Sequence, residues 1–439
     1  MTDKTDSPSE PLLGQGSEAD LPIDYDDALA HKARILMTPH AVRARANLLL
    51  DKALEGELSH VAVDIGALDP LSDSLAARIR AEWPDLALPF HSVWRRFEAG
   101  GHDRFAGLAA SRQWPDVREM GRAAFDMALV AGFIGPAAPD GWGFADALTG
   151  ERYPGADGLA IASLSMIASG LFSGQPLDPL RADAGQLVRV SEDEIAAGLQ
   201  IDPDNPAMDC APLARVLRRL GEAVGLRDDV FAQKDDPRPG GVFDLLFEEG
   251  LEGALGASRV MELLCDGLAI VQVGGPALGG IPLGDTATHP SLRGEGIEEG
   301  TETFMPFHAR LQRLVPDLVE PLVWAGVEIS GLEDLTINSD APAAALLLDA
   351  GVVTLCDGPP QGGVIALDAP QAVELRAVTV ALFDRLAEKL RLRFEVRAEE
   401  MPLAGLLEGA IRHAAGKIAL EKRGTLVPMI QFGAPDGLK

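Results

Sequence analysis

The chain is poor in cations. It contains 38 Lys and Arg against 67 Asp and Glu, which gives a formal net charge of −29 at neutral pH. Nucleic acids and anionic membranes are bound by cationic surfaces, so this balance excludes them as expected partners. The same scarcity makes any local cluster of arginines a candidate site for a small anion.

Cysteine is also rare. The three cysteines, Cys210, Cys265 and Cys356, lie far apart and form no Cys-x-x-Cys pair. This excludes a disulfide framework and favours reduced, buried thiols in a cytoplasmic protein. The eight histidines include no His-Glu-x-x-His motif and no other paired ligand spacing. We therefore expect no structural zinc site and no catalytic metal.

Several functional motifs are absent. No apolar run approaches the about 18 residues of a membrane span. No Gly-x-Ser-x-Gly elbow supports a serine hydrolase, and neither a P-loop nor a Gly-x-Gly-x-x-Gly motif follows a strand. The first residues are acidic and rich in Pro, Gly and Ser, without the basic start and apolar run of a signal peptide. We expect a disordered acidic tail over residues 1–30.

The remaining sequence is that of a globular, mainly α-helical protein. Hydrophobic residues make up 47% of the chain and charged residues 24%. Helix signals recur, such as the pair Thr38-Pro39 and the capping box Ser191-x-x-Glu194. We predict one large helical domain over 31–430, with an N-terminal part (31–235), a polar linker (234–241) and a C-terminal part (240–430). One helix is expected over 242–270, and a hairpin of two short strands over 352–367.

Two segments begin with Pro-Phe-His. PFHSVWRRFEAGGHDR starts at Pro89, and PFHARLQRLVPDLVEP starts at Pro306. The first gathers most of the candidate binding residues: His91, Trp94, Arg95, Arg96, Asp103 and Arg104. Its arginines are a candidate anion site. His308 opens the second segment, and a lone histidine at such a position is more often a capping or satisfied group than a catalyst.

Two carboxylates stand out from the acidic background. Asp317 lies among apolar residues of a predicted helix, where burial requires a partner or a raised pKa. Arg376 is a candidate partner, although a surface ion pair is the ordinary role of such a residue. Asp340 directly precedes another predicted helix, so its local sequence favours an N-cap.

A Gly-rich segment over 274–300 carries Asp285 and His289. Its glycines are compatible with a phosphate cradle, but a flexible or lid-like loop is the better interpretation. Such a loop would still matter if it lowered Asp285 and His289 onto a ligand.

These segments together resemble one protein family from about residue 33 to 425. The ordered matches include ELSHVAVDIGALD, WPDLALPFHSVWRRFEAGGHDR, GLAIASLSMIASGLFSGQPLDPLRADA, RPGGVFDLLF, LGGIPLGDTATHP and PFHARLQRLVPDLVEPL. The family is that of uracil-catabolism protein four, also called Urc-four/Urg-three. It belongs to a pathway that degrades uracil through ribosylated intermediates and releases urea.

The C-terminal half also resembles the queuosine-nucleotide salvage hydrolases, which cleave an N-glycosidic bond. This resemblance implies a helical DNA-glycosylase-like core with a few short strands, and no cofactor. It places Asp317 and Asp340 at active-site carboxylate positions. The implied substrate is a small ribosyl or ribose 5-phosphate compound, with Arg95, Arg96 and Arg104 holding its phosphate. A DNA repair function is disfavoured by the net charge.

The chain departs from the family pattern at several positions. Gly135 stands where an aspartate is expected, and Asp340 to Ala345 reads DAPAAA where the family has EYRNGG. Further departures lie at Val93 to Arg96 and at Leu407 to Arg412. The alternative function is therefore a nucleotide-binding or regulatory paralogue that has lost turnover.

Overall fold

Eighteen α-helices account for most of the chain that the structure describes. This computed structural model describes residues 27–135, 138–139, 141–205, 208–231, 236–272, 274–294, 297–359, 363–407, 411–425 and 429–433. The predicted mainly α class is confirmed. The acidic tail predicted over 1–30 falls outside the described residues up to position 26.

The helices up to residue 231 are α1 (Asp27–Leu36), α2 (Pro39–Leu54), α3 (Leu68–Glu82), α4 (Val93–Phe97), α5 (Arg104–Arg112), α6 (Val117–Ile134), α7 (Gly155–Ala168), α8 (Ala184–Leu187), α9 (Glu192–Gly198), α10 (Ala211–Leu226) and α11 (Asp228–Phe231). Those that follow are α12 (Val242–Glu252), α13 (Ala257–Leu268), α14 (Ala309–Trp324), α15 (Ala341–Asp349), α16 (Pro370–Phe394), α17 (Leu403–Leu406) and α18 (Arg412–Arg423). None of the described helices is long and apolar enough to cross a membrane.

Local capping chemistry sets several helix starts. The Thr38 hydroxyl accepts a hydrogen bond from the Ala41 N–H, and Pro39 occupies the first turn of α2. Ser191 and Glu194 form the reciprocal capping box of α9. These interactions satisfy N–H groups that a helix start leaves without partners.

The strands are short, and three of their six pairs join segments that lie far apart in the sequence. They are β1 (Val61–Val63), β2 (Gly143–Ala145), β3 (Arg152–Pro154), β4 (Leu255–Gly256), β5 (Ala277–Leu278), β6 (Ile281–Pro282), β7 (Thr286–Thr288), β8 (Phe304–Pro306), β9 (Ile329–Ser330), β10 (Val353–Leu355), β11 (Val364–Ala366) and β12 (Gln431–Gly433). The predicted hairpin over 352–367 is wrong, because β10 pairs antiparallel with β1 and β11 pairs parallel with β12.

The helix expected over 242–270 is two helices. α12 ends at Glu252, and β4 then pairs parallel with β9 before α13 begins. The ladder with a distant strand supplies hydrogen bonds that a continuous helix would have made locally.

The polar linker expected over 234–241 is buried from Arg238 to Gly241. Arg238 donates two hydrogen bonds to the Asp126 carboxylate of α6, and the Gly240 N–H donates a third at 2.6 Å. Asp126 has no exposed surface, so a cation and an N–H group must accompany it into the core. The predicted division between two parts at this segment stays a prediction.

The cysteines are free thiols. Cys210 and Cys265 are buried as expected, but Cys356 is exposed, because it follows strand β10 at the surface.

Helices α6 and α14 pack closely against each other. A Cβ atom on Gly132 would lie 2.0 Å from Leu314 Cδ2, so a larger residue there would force the Leu314 side chain to move. Arg310 and Arg313 of α14 donate to the carbonyl groups of Phe133 and Gly132, the last turn of α6. Arginines at a helix C-terminus satisfy unpaired carbonyls and complement the negative end of the dipole.

Candidate active site

A cleft opens where α4, α6, α7 and α14 meet. It encloses about 420 Å³ of empty space, counting the part open to solvent. Its charged and polar lining comes from His91, Ser92, Arg96, Arg313 and Asp317. The rest of the lining is small: Val93, Ala131, Gly132, Gly135, Ala156 and Ala160.

Asp317 is buried on the cleft side of α14. Its Oδ1 accepts a hydrogen bond from the Val93 N–H at 2.6 Å, and its backbone carbonyl accepts one from the Trp94 indole at 2.7 Å. Burial raises the pKa of Asp317 to about 7, against the opposing charges of Arg313 and Arg96 and the Val93 hydrogen bond. A carboxyl group with this pKa exchanges protons near neutral pH, as a general acid or base must.

Asp340 lies at the N-terminus of α15. Its Oδ1 accepts from the Ala343 N–H at 3.0 Å, and its Oδ2 accepts from the Asn338 amide at 2.6 Å. The N-cap expected from its local sequence is therefore present. Burial raises the pKa of Asp340, while these two hydrogen bonds and the charges of Arg313 and His91 lower it.

Arg313 links the two carboxylates. Its guanidinium attracts both Asp317 and Asp340, while burial lowers its pKa. An arginine remains protonated in proteins even so. Asp317 lines the cleft, whereas Asp340 does not and interacts with the cleft residues Arg313 and His91 through their charges.

A second cavity adjoins the first and shares His91 and Arg313 with it. It encloses about 400 Å³, again counting the part open to solvent. Asn338, the hydrogen-bond partner of Asp340, lines it. The other lining residues are Gln312, Pro316, Leu335, Thr336, Leu403, Ala404 and Leu407.

Asp285 and Arg376 lie behind the two carboxylates and form an ion pair of 2.6 Å. The Asp285 carboxylate also accepts from the Ala309 N–H at the start of α14. Arg376 donates to the Ser339 hydroxyl at 3.2 Å and stacks on Phe307 with its guanidinium 3.8 Å from the ring centre. One ion pair thus fixes the start of the helix that carries Asp317 and the residue before Asp340.

The partner predicted for Asp317, Arg376, has another role. Arg376 is 2% exposed and pairs with Asp285, not with Asp317 or at the surface.

The predicted arginine cluster divides in the structure. Arg96 lines the cleft and contacts Asp157 at 3.2 Å. Arg95 pairs with Glu320 and Glu98. Arg104 is buried, where it pairs with Asp146 and donates to three backbone carbonyl groups. The structure therefore brings one of the three arginines to the cleft.

Two further predicted residues of the first Pro-Phe-His segment serve its local structure. Asp103 is exposed and caps α5 by accepting from the Ala106 N–H. Trp94 packs edge-on against Phe97 and Trp324, and its indole bond reaches the backbone of Asp317.

His289 and His308 lie outside both cavities. His289 Nε2 is 3.3 Å from Glu374, whose other oxygen accepts from the backbone N–H groups of residues 60 and 61. His308 is fully buried at the N-terminus of α14, and its Nε2 contacts the Leu36 carbonyl at 3.0 Å. The His308 ring therefore joins α14 to the end of α1.

Two residues near the carboxylates, Arg313 and Asn338, were not predicted from the sequence as site residues. Arg313 precedes Asp317 by four residues, and that spacing places both on one helix face. This signal was present in the sequence. Asn338 precedes Asp340 by two residues in a loop, and its hydrogen bond to that carboxylate has no comparable periodic signal.

Comparisons with known proteins identify a family and two relatives. A profile of the family described as protein of unknown function (DUF1688) matches residues 35–437. "Protein urg3" of Schizosaccharomyces pombe is 26% identical over 398 residues, covering 88% of this chain and 93% of the yeast protein. "Uracil catabolism protein 4" of Lachancea kluyveri is 23% identical over 400 residues, covering 84% and 89%.

Proposed function

This chain belongs to the DUF1688 family, the Urc-four/Urg-three family expected from its sequence, and we propose that it is an N-glycoside hydrolase of uracil catabolism. The substrate is a small ribosyl or ribose 5-phosphate compound. The pathway is inferred from the name of the Lachancea protein. The glycosylase-like core expected from the second resemblance is part of the same proposal.

The observation that carries the proposal is a buried carboxyl group, Asp317, that lines a cleft with Arg313, whose charge also acts on Asp340. N-glycoside cleavage develops positive charge on the sugar, so a fixed carboxylate stabilises the transition state more than the ground state. Asp340 has a fixed orientation, because the Ala343 N–H and the Asn338 amide hold its two oxygens. We assign it to the sugar.

Asp317 is assigned to proton transfer. Water adds through its oxygen to the anomeric carbon, the carbon–nitrogen bond breaks, and its electron pair leaves with the nitrogen. The leaving nitrogen takes up a proton and the water gives one up, so the net proton count is unchanged. The pKa of about 7 allows Asp317 to act in either transfer.

Arg96 is assigned to the phosphate. It lines the cleft beside Ala156, which lies in the first turn of α7. Backbone N–H groups at a helix start and an arginine side chain both favour a bound anion. A phosphate held there would position the sugar by binding energy remote from the reacting bond.

The test is direct. Purified protein is incubated with ribosylurea, its 5′-phosphate and a panel of nucleotides, and released ribose or ribose 5-phosphate is quantified by mass spectrometry. We expect release from at least one phosphorylated substrate, and none from the same substrate with Asp340→Asn. Asp116→Asn is the matched control, because Asp116 is an exposed N-cap of α6. Absence of release from every compound would refute hydrolysis.

The second candidate function, a binding paralogue without turnover, is favoured by the altered residues near the carboxylates. Gly135 lines the cleft, and Ala343 to Ala345 are buried in the first turns of α15. It predicts saturable nucleotide binding by calorimetry with no product. Hydrolysis of any bound compound would exclude it.

A further inference from the structure

The second cavity points to the identity of the leaving group. We propose, on the basis of the proposed hydrolase function, that this cavity receives an uncharged heterocyclic base. The substrate class is then a nucleotide, and a ribosylated urea is a poor substrate.

The cavity wall is largely apolar. Its apolar members are Pro316, Leu335, Leu403, Ala404 and Leu407. Flat, weakly polar rings gain free energy when such a wall removes their faces from water.

Two polar residues of the wall already have partners inside the protein. The Thr336 hydroxyl donates to the Gln312 side-chain oxygen at 2.6 Å, and the Gln312 amide donates to the Phe307 carbonyl at 2.8 Å. Both side chains are buried. Their hydrogen-bonding capacity is therefore directed into the protein rather than reserved for a ligand.

A urea group would fit this wall badly. It presents a carbonyl and N–H groups around its whole small perimeter, and apolar side chains satisfy none of them. A buried polar group without a partner loses the hydrogen bonds that water would otherwise make with it. A ring presents its polar atoms at its edge, where the Asn338 amide can meet one side, and buries its two faces.

Continuity with the first cleft supports the assignment. His91 and Arg313 line both cavities, and the His91 N–H donates to the Ala404 carbonyl at 2.9 Å, which ties the two walls together. A ligand with its sugar at the shared residues would extend a phosphate toward Arg96 and a base toward Leu403. The phosphate end of a nucleotide thus suits the first cleft, and its base suits the second cavity.

The experiment compares two probes that share ribose 5-phosphate: uridine 5′-monophosphate and N-ribosylurea 5′-phosphate. The readouts are kcat/KM for ribose 5-phosphate release and the affinity by calorimetry. Wild type is expected to prefer the nucleotide. Leu407→Asn, at a partly exposed wall position, should lower the nucleotide's kcat/KM about tenfold and leave that of the ureide unchanged. Leu348→Asn, a partly exposed leucine of α15 outside the wall, should leave the ratio unchanged.

A preference for the ureide, or an unaltered ratio in Leu407→Asn, would overturn the assignment. If neither probe is hydrolysed, the hydrolase function is not supported for these compounds. The affinities measured by calorimetry then test the base-binding role of the cavity on their own. Tighter binding of the nucleotide that Leu407→Asn weakens would support the base site. Equal affinities, or no binding of either probe, would overturn it.

Discussion

Replacing Asp317 by asparagine should strongly lower turnover and should stabilise the protein at alkaline pH. The pKa of Asp317 rises from 3.8 to about 7 on folding, because burial disfavours its charged form. A raised pKa contributes stability below pH 4, and this contribution is lost as the pH rises to 7. About three pH units at 1.36 kcal/mol each give about 4 kcal/mol at pH 8.

An asparagine carries no charge, so the variant escapes this loss. Its side-chain oxygen can still accept from the Val93 N–H. With an unfolding entropy of about 2.1 cal/mol/K per residue over the chain, 4 kcal/mol corresponds to about 4 °C in Tm. We therefore expect equal Tm values near pH 4 and a variant more stable than wild type by about 4 °C at pH 8.

The assay is thermal melting of both proteins from pH 4 to pH 8, reported as the difference in Tm at each pH. Titrations common to both proteins cancel in that difference. Asp116→Asn, at an exposed N-cap, is the control and should show a flat difference. A flat difference for Asp317→Asn, or one that grows toward low pH, would refute the argument that burial of a charge dominates at this site. Turnover in the variant should fall about 10²–10⁴-fold.

Three further outcomes are expected. Asp340→Asn should lower kcat about 10²–10³-fold without lowering Tm. Asp340→Ala should in addition lower the free energy of unfolding by about 1 kcal/mol, because it loses the cap to Ala343. Unchanged turnover would show that Asp340 takes no part in the mechanism. Arg96→Ala should raise KM for a 5′-phosphorylated substrate at least about tenfold and leave KM for the free nucleoside near the wild-type value. Arg95→Ala is the control: Arg95 pairs with two glutamates, so its loss should affect both substrates alike. In fluorescence anisotropy at low salt a labelled DNA duplex should not bind, because the net charge of −29 repels it; micromolar affinity that weakens with salt would contradict the small-molecule function.

The helix starts were predictable because their causes are local. Thr38 and Pro39 act within one turn of the chain, and so do Ser191 and Glu194. Strand pairing has a different origin. The short apolar segments near 353 and 364 were recognised as strands, but their partners lie about 290 and 67 residues away along the chain. Periodicity indicates that a segment is extended and carries no information on which distant edge will satisfy its backbone.

The carboxylates were predictable from resemblance, and their surroundings were not. Arg376 was expected near Asp317, yet the fold gives that role to Arg313, four residues earlier on the same helix. Arg376 instead supports the site from behind through Asp285. Such assignments depend on which helix faces meet. In an acidic chain each arginine has many possible partners, so adjacency in sequence is a weak guide.

Three departures from the family pattern line the cleft: Val93, Arg96 and Gly135. Gly135 has φ +86°, in the region that favours glycine, and a Cβ atom there would meet no atom within 4 Å. The missing side chain therefore leaves space beside Arg96 and Asp317. Asp340 accepts two hydrogen bonds, and the charge of Arg313 acts on both carboxylates. The residues assigned to the reaction are therefore present, and the space at Gly135 changes which substrate fits the cleft. This favours hydrolysis of a bulkier substrate over loss of turnover.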